Sequence, residues 1–84
     1  MTRFYINPCN LGKLLHQNGA ECIEAFEGSL QDNGLYITKS GAYMAIYEHY
    51  KNPNMSDLYI EFSKDPKEKE TIYNKFTANM EAIA

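Results

Sequence analysis

Cysteine is scarce in this chain: Cys9 and Cys22 are the only two in 84 residues. A disulfide scaffold of this size usually uses four or more, so the pair is read as two free, buried thiols and not as a covalent framework. No apolar run approaches the roughly 20 residues that cross a bilayer, and the opening stretch MTRFYINPCNLGKLL lacks the apolar core of a signal peptide. The expected location is therefore the cytoplasm, of its own cell or of a host, with no membrane partner. Charge is also modest. The formal net charge of −3 and the pI near 5.2 are too mild for a polyanion mimic and have the wrong sign for a dedicated nucleic-acid binder. Arginine occurs once, against seven lysines, eight asparagines and seven tyrosines. Such usage is typical of an AT-rich coding genome, as in a low-GC bacterium or its phages.

Chemistry-bearing motifs are missing as well. The soft ligand candidates are Cys9, His16, Cys22 and His49, separated by six, five and twenty-six residues. Zinc sites place cysteines as C-x₂₋₄-C and histidines as H-x₃₋₅-H so that one turn presents two ligands together, and no pair here does so. Neither a metal nor a cofactor is expected. Gly12-Lys13 resembles the end of a phosphate loop only superficially, because the upstream glycine is missing and leucine follows the lysine. No G-x-S-x-G or H-E-x-x-H stretch occurs. Cys9, near a helix start, would have a somewhat favoured thiolate, but the simpler role is a small apolar residue in the first turn.

What is present is a globular composition, 44% apolar and 23% charged, sized for one domain over residues 1–84. The stretch from Gly34 to Phe62 organises it. Three strands are predicted, at 35–39, 42–50 and 58–63, the first two joined by a two-residue turn at Ser40-Gly41 and the last two by a Pro53-containing loop at 51–56. A further short strand is predicted at 2–6, ended by Asn7-Pro8. Residues 8–29 read as helix with a break at Gly19, from the spacing of Leu11, Leu14, Leu15, Cys22, Ile23 and Phe26. A competing reading makes 21–27 a strand paired with 35–39. Residues 28–34 form a loop. Asp65-Pro66-Lys67-Glu68 is a strong helix start, with an N-cap, proline at the first position and glutamate in capping-box position. Ile72, Phe76, Met80 and Ile83 then line one stripe. The expected fold is α+β: a three- to four-stranded, mostly antiparallel sheet in the order β-α-β-β-β-α, with the C-terminal helix packed on one face.

Alternation splits the central strands into two sets. Leu35, Ile37, Met44, Ile46, Leu58, Ile60 and Phe62 form an aliphatic set on which the last helix should pack. Phe4, Ile6, Leu15, Ile23, Phe26, Ile72, Phe76 and Met80 complete the expected core. The other set holds Tyr36, Thr38, Tyr43, Ala45, Tyr47, His49, Tyr59 and Glu61, with Tyr5 in the same phase. A tyrosine-paved face is either a half-buried layer beneath 8–29 or an open recognition surface, since tyrosine gives large contact area at low entropic cost.

Three functions follow. The first is a non-enzymatic binding protein that docks on a larger protein through Tyr36, Tyr43, Tyr47, His49, Tyr59 and Glu61 and regulates or inhibits it. Many short phage or mobile-element proteins with this profile inhibit host enzymes. The second is a single-stranded RNA-binding module that stacks bases on the tyrosines, although its lysines are interleaved with acids and read as a solvated helix start. The third is a small enzyme using His49 and Glu61 as an acid/base pair, against the simpler reading of a cross-strand charge pair. A homo-oligomer is compatible with all three.

Overall fold

Five strands, rather than three or four, make one antiparallel sheet in the computed structural model, which describes residues 1–25, 33–47 and 57–83 and the side chains as far as Asn79. In chain order these are β1 (Thr2–Ile6), a 3₁₀ turn (Pro8–Asn10), α1 (Leu11–Gln17), β2 (Glu21–Ala25), β3 (Gly34–Ile37), β4 (Tyr43–Tyr47), β5 (Leu58–Phe62), a second 3₁₀ turn (Pro66–Glu68) and α2 (Lys69–Ile83). The spatial order is β1-β5-β4-β3-β2. Phe26, His49, residues 28–32 of the loop expected at 28–34 and the loop expected at 51–56 lie outside the described residues, as does the side chain of Met80, while Gly34, expected in that loop, opens β3.

The extra strand is β2, so the helix expected over 8–29 ends at Gln17 and the competing strand reading holds for 21–25. The stop is chemical. Gly19 adopts φ +56°, its N–H donates to the carbonyl of His16, and the Ala20 N–H donates to that of Leu15. This Schellman arrangement satisfies the last carbonyls and turns the chain out of the helix. β2 was obscured because it pairs with β3 through a bulge between Cys22 and Glu24, which breaks the two-residue period at Ile23. Ile23 is accordingly 49% exposed and not a core residue. Cys9, in a 3₁₀ turn, and Cys22, on an edge strand, are exposed free thiols, not buried ones.

The turn between β3 and β4 has three residues, not two. Thr38 N–H donates to the Ala42 carbonyl, Gly41 N–H donates to the Thr38 carbonyl, and Gly41 takes φ +87°. This is a turn closed by a left-handed glycine. One extra residue shifts the register by one and exchanges the two sides of β3 relative to β4. Tyr36 therefore lies opposite Met44, and Leu35 opposite Ala45.

The face assignments change with it. Met44, Ile46, Leu58, Ile60 and Tyr36 form one core with Leu11, bordered by Leu14, Leu15, Phe4, Ile6, Ala20 and Phe62. Four antiparallel pairings make β1 and β2 run the same way at opposite edges. The connection carrying α1 must cross the whole sheet, about 19 Å at the usual strand spacing, and it buries this aliphatic face on the way. The other face carries Leu35, Ala45, Tyr47 and Tyr59 beneath Ile72 and Phe76 of α2. The C-terminal helix thus packs on the tyrosine side and not on the aliphatic side, which α1 already occupies.

The start of α2 is held as the sequence implies, with one exchange of partners. Asp65 Oδ1 accepts from the Lys67 N–H. Glu68, however, does not reach back to Asp65. Ser63 Oγ accepts the Asp65 N–H and donates to Glu68, which also takes the Met1 ammonium at 2.9–3.0 Å. No helix among the described residues is long and apolar enough to cross a membrane.

Candidate functional site

The tyrosines do not form one open surface. Tyr36 is buried on the α1 side by the register described above. Tyr47, 2% exposed, lies under α2 with its ring 6.2 Å from Phe76 and 6.1 Å from Tyr59, which is also buried. Tyr5, on the edge strand β1, sits 5.2 Å from Tyr59 and is 45% exposed. Tyr43 is half-buried at the start of β4. The structure therefore brings Tyr5, Tyr47 and Tyr59 into one ring cluster, puts Tyr43 at the end of the same face, and sends Tyr36 to the other. His49 lies outside the described residues.

Glu61, the fourth of the five residues of β5, is 2% exposed. Its Oε2 accepts from Arg3 Nε at 3.0 Å and from Lys75 Nζ at 3.4 Å, joining β1, β5 and α2 through one carboxylate. Oε1 is buried and has no hydrogen-bond partner among the described residues. A carboxylate held this way between two half-exposed cations is a structural charge that ties three elements together. Taking away either cation would leave it under-compensated in a low-dielectric setting.

Besides the edge at Tyr5, this face is open where β4 begins and α2 begins. Tyr73, 41% exposed, stands one position past Ile72 and so points to the flank of the helix. Its ring is 6.4 Å from Tyr43 and tilted by 44°. Lys69, one helical turn earlier, places its ammonium 4.6 Å from the centre of the Tyr43 ring. Tyr43, Tyr73, Pro66, Lys67, Lys69 and Glu70 line a shallow groove of about 490 Å³. No protein family, curated protein or solved structure matches this chain. The groove is therefore read from its own chemistry: two aromatic walls, a proline, two cations and one anion.

Sequence reasoning missed Tyr73, Lys69 and Pro66 as site residues. Lys69 and Tyr73 at i, i+4 were a usable signal, but nothing in the sequence shows that Tyr43 meets them, since that depends on which face α2 covers. Among the described residues no group of three or more His, Cys, Asp or Glu side chains is placed to hold a metal ion.

Proposed function

We propose that this protein is a non-enzymatic binding module that docks on a larger protein and regulates or blocks it, and that the groove at the start of α2 is where it docks. The observation that carries this reading is the Tyr43–Tyr73 pair standing at the surface beside Lys67 and Lys69. Tyrosine rings fixed on regular elements give contact area at little entropic cost, the usual property of interface hot spots. Two lysines against Glu70 make the groove locally cationic in a chain of net charge −3. The complementary partner segment is an apolar anchor flanked by a carboxylate. Inhibition of a host enzyme by a phage or mobile-element protein is one form this activity would take.

The RNA reading has less support, because base stacking needs open ring faces and Tyr47 and Tyr59 lie beneath α2. For an enzyme, Glu61 is enclosed and engaged by Arg3 and Lys75. The test places a photo-crosslinking residue at Tyr73 and, as a control, at exposed Lys13 on α1. The expected result is a single protein partner crosslinked from position 73 and not from 13, with affinity lowered by about 1–3 kcal/mol in Tyr73→Ala at unchanged melting temperature. Equal recovery by Tyr73→Ala, or salt-dependent retention of single-stranded RNA alone, would overturn the proposal.

A further inference from the structure

The two edges of the sheet differ in how they treat an incoming strand. β2 carries the protections that edge strands commonly have: a bulge at Ile23, and Glu21 and Glu24 paired opposite Ile37 and Leu35, hence on the α2 side. Symmetric pairing of β2 with a second copy would gather four carboxylates on one side of the joined sheet. Apart from the single charge of Arg3, β1 carries no such protection. Its five residues pair with β5 in unbroken register from Thr2 opposite Phe62 to Ile6 opposite Leu58, with no bulge, proline or lysine. Among the described residues no strand pairs with its outer side. Arg3 and Tyr5 are both exposed and lie on the α2 side, opposite Glu61 and Tyr59, while Phe4 lies on the α1 side.

We propose that β1 is a self-docking edge, through which two copies of this chain join by antiparallel β1–β1 pairing into one continuous sheet. The sequence Thr-Arg-Phe-Tyr-Ile is complementary to itself about Phe4. A two-fold axis there sets Phe4 opposite Phe4, Thr2 opposite Ile6, and each Arg3 opposite Tyr5 of the other copy. Opposed residues in an antiparallel pair bring their Cβ atoms to about 4.5–5.5 Å, within reach of a guanidinium-on-ring contact made twice by symmetry. Arg3 is held on that side by Glu61, and Tyr5 is held by its contact with Tyr59. No like charges meet. This surface is remote in sequence from the groove residues and stands independently of the docking reading.

The test is sedimentation equilibrium of the untagged chain from micromolar to millimolar concentration. A species of twice the 9.7 kDa chain mass is expected. Tyr5→Lys puts a second cation opposite Arg3 and should weaken the dimer about tenfold or more, whereas Tyr5→Glu offers Arg3 a carboxylate and should retain it. Ile23→Lys on the opposite edge should leave it unchanged. In the unaltered protein, amide exchange over residues 2–6 should slow as concentration rises, a readout that does not depend on any variant folding. A chain monomeric throughout the range overturns the proposal. So does a dimer indifferent to Tyr5→Lys, or one lost in Ile23→Lys.

Discussion

Removing the ring of Tyr47 tests which face of the sheet α2 covers. The ring is 2% exposed and packs on Phe76 at 6.2 Å and Tyr59 at 6.1 Å, in the cluster that also holds Leu35, Ala45 and Ile72. Emptying a buried aromatic site costs about 3–5 kcal/mol. A domain of this length has roughly 4–13 kcal/mol in total, so Tyr47→Ala should remove a large share of it. The melting temperature should fall by more than roughly 10 °C, given 4–8 °C for each kcal/mol in a small domain. To isolate the ring pair, Tyr47→Leu, Phe76→Leu and the double variant are milder, at about 0.5–3 kcal/mol for each single change. Their double-mutant cycle in urea should return a coupling of about 0.5–1.5 kcal/mol, the range for tilted aromatic pairs. If Tyr47→Ala lost under about 1 kcal/mol and the cycle gave no coupling, α2 would not lie on this face, and the groove built from Tyr43 and Tyr73 would go with it.

Gly34→Ala should be more damaging than an exposed glycine change, because a Cβ there would overlap the Glu24 carbonyl oxygen and stand 3.0 Å from Ala25 Cα. A melting temperature equal to the parent's would show that β2 does not press on β3 at that point. The Glu68 carboxyl is held below its ordinary value of 4.5 by hydrogen bonds from the Met1 ammonium first and then Ser63. The unfolded chain therefore binds that proton first as pH falls, so the contribution is complete at neutral pH and is lost as pH drops from about 4.5 through the lower folded value. Glu68→Gln should flatten that part of the stability profile, and an unchanged acid limb would contradict the pairing. Cys9 and Cys22 should both react with a thiol reagent in the folded protein without prior reduction. Labelling that appears only in denaturant would place one of them inside.

Much of the architecture was legible where local chemistry is decisive. Asp65-Pro66 starts the last helix, Ile72 and Phe76 are its buried stripe, and β4 and β5 follow their alternation. Two features were not legible, for different reasons. β2 is an edge strand with most of its side chains exposed, so burial imposes no alternation on it, and the bulge at Ile23 removes what remained. The partition of faces failed at Gly41. Alternation fixes which residues of one strand lie together, but only the number of turn residues links one strand's phase to the next. Counting Lys39 as strand instead of turn moved Tyr36 and Leu35 to each other's sides. For the candidate site, Tyr43 was selected from the sequence, whereas its neighbours on α2 required knowing that the helix crosses the tyrosine side.

The position of β1 beside β5 also constrains how the protein folds. β2 through β5 form a meander in which every partner is the next strand along the chain, so its hairpins can close early at small loop-closure cost. β1 precedes them all yet must wait for β5 before any of its ladder can form. Glu61, meanwhile, gains its two cations only when β1 and α2 have both arrived. On a growing chain β1 is therefore made first and paired among the last, with its Phe4 and Tyr5 unpartnered in the interval. A stopped-flow comparison should find Phe4→Leu accelerating unfolding far more than it slows folding, the signature of a strand that joins after the rate-limiting step.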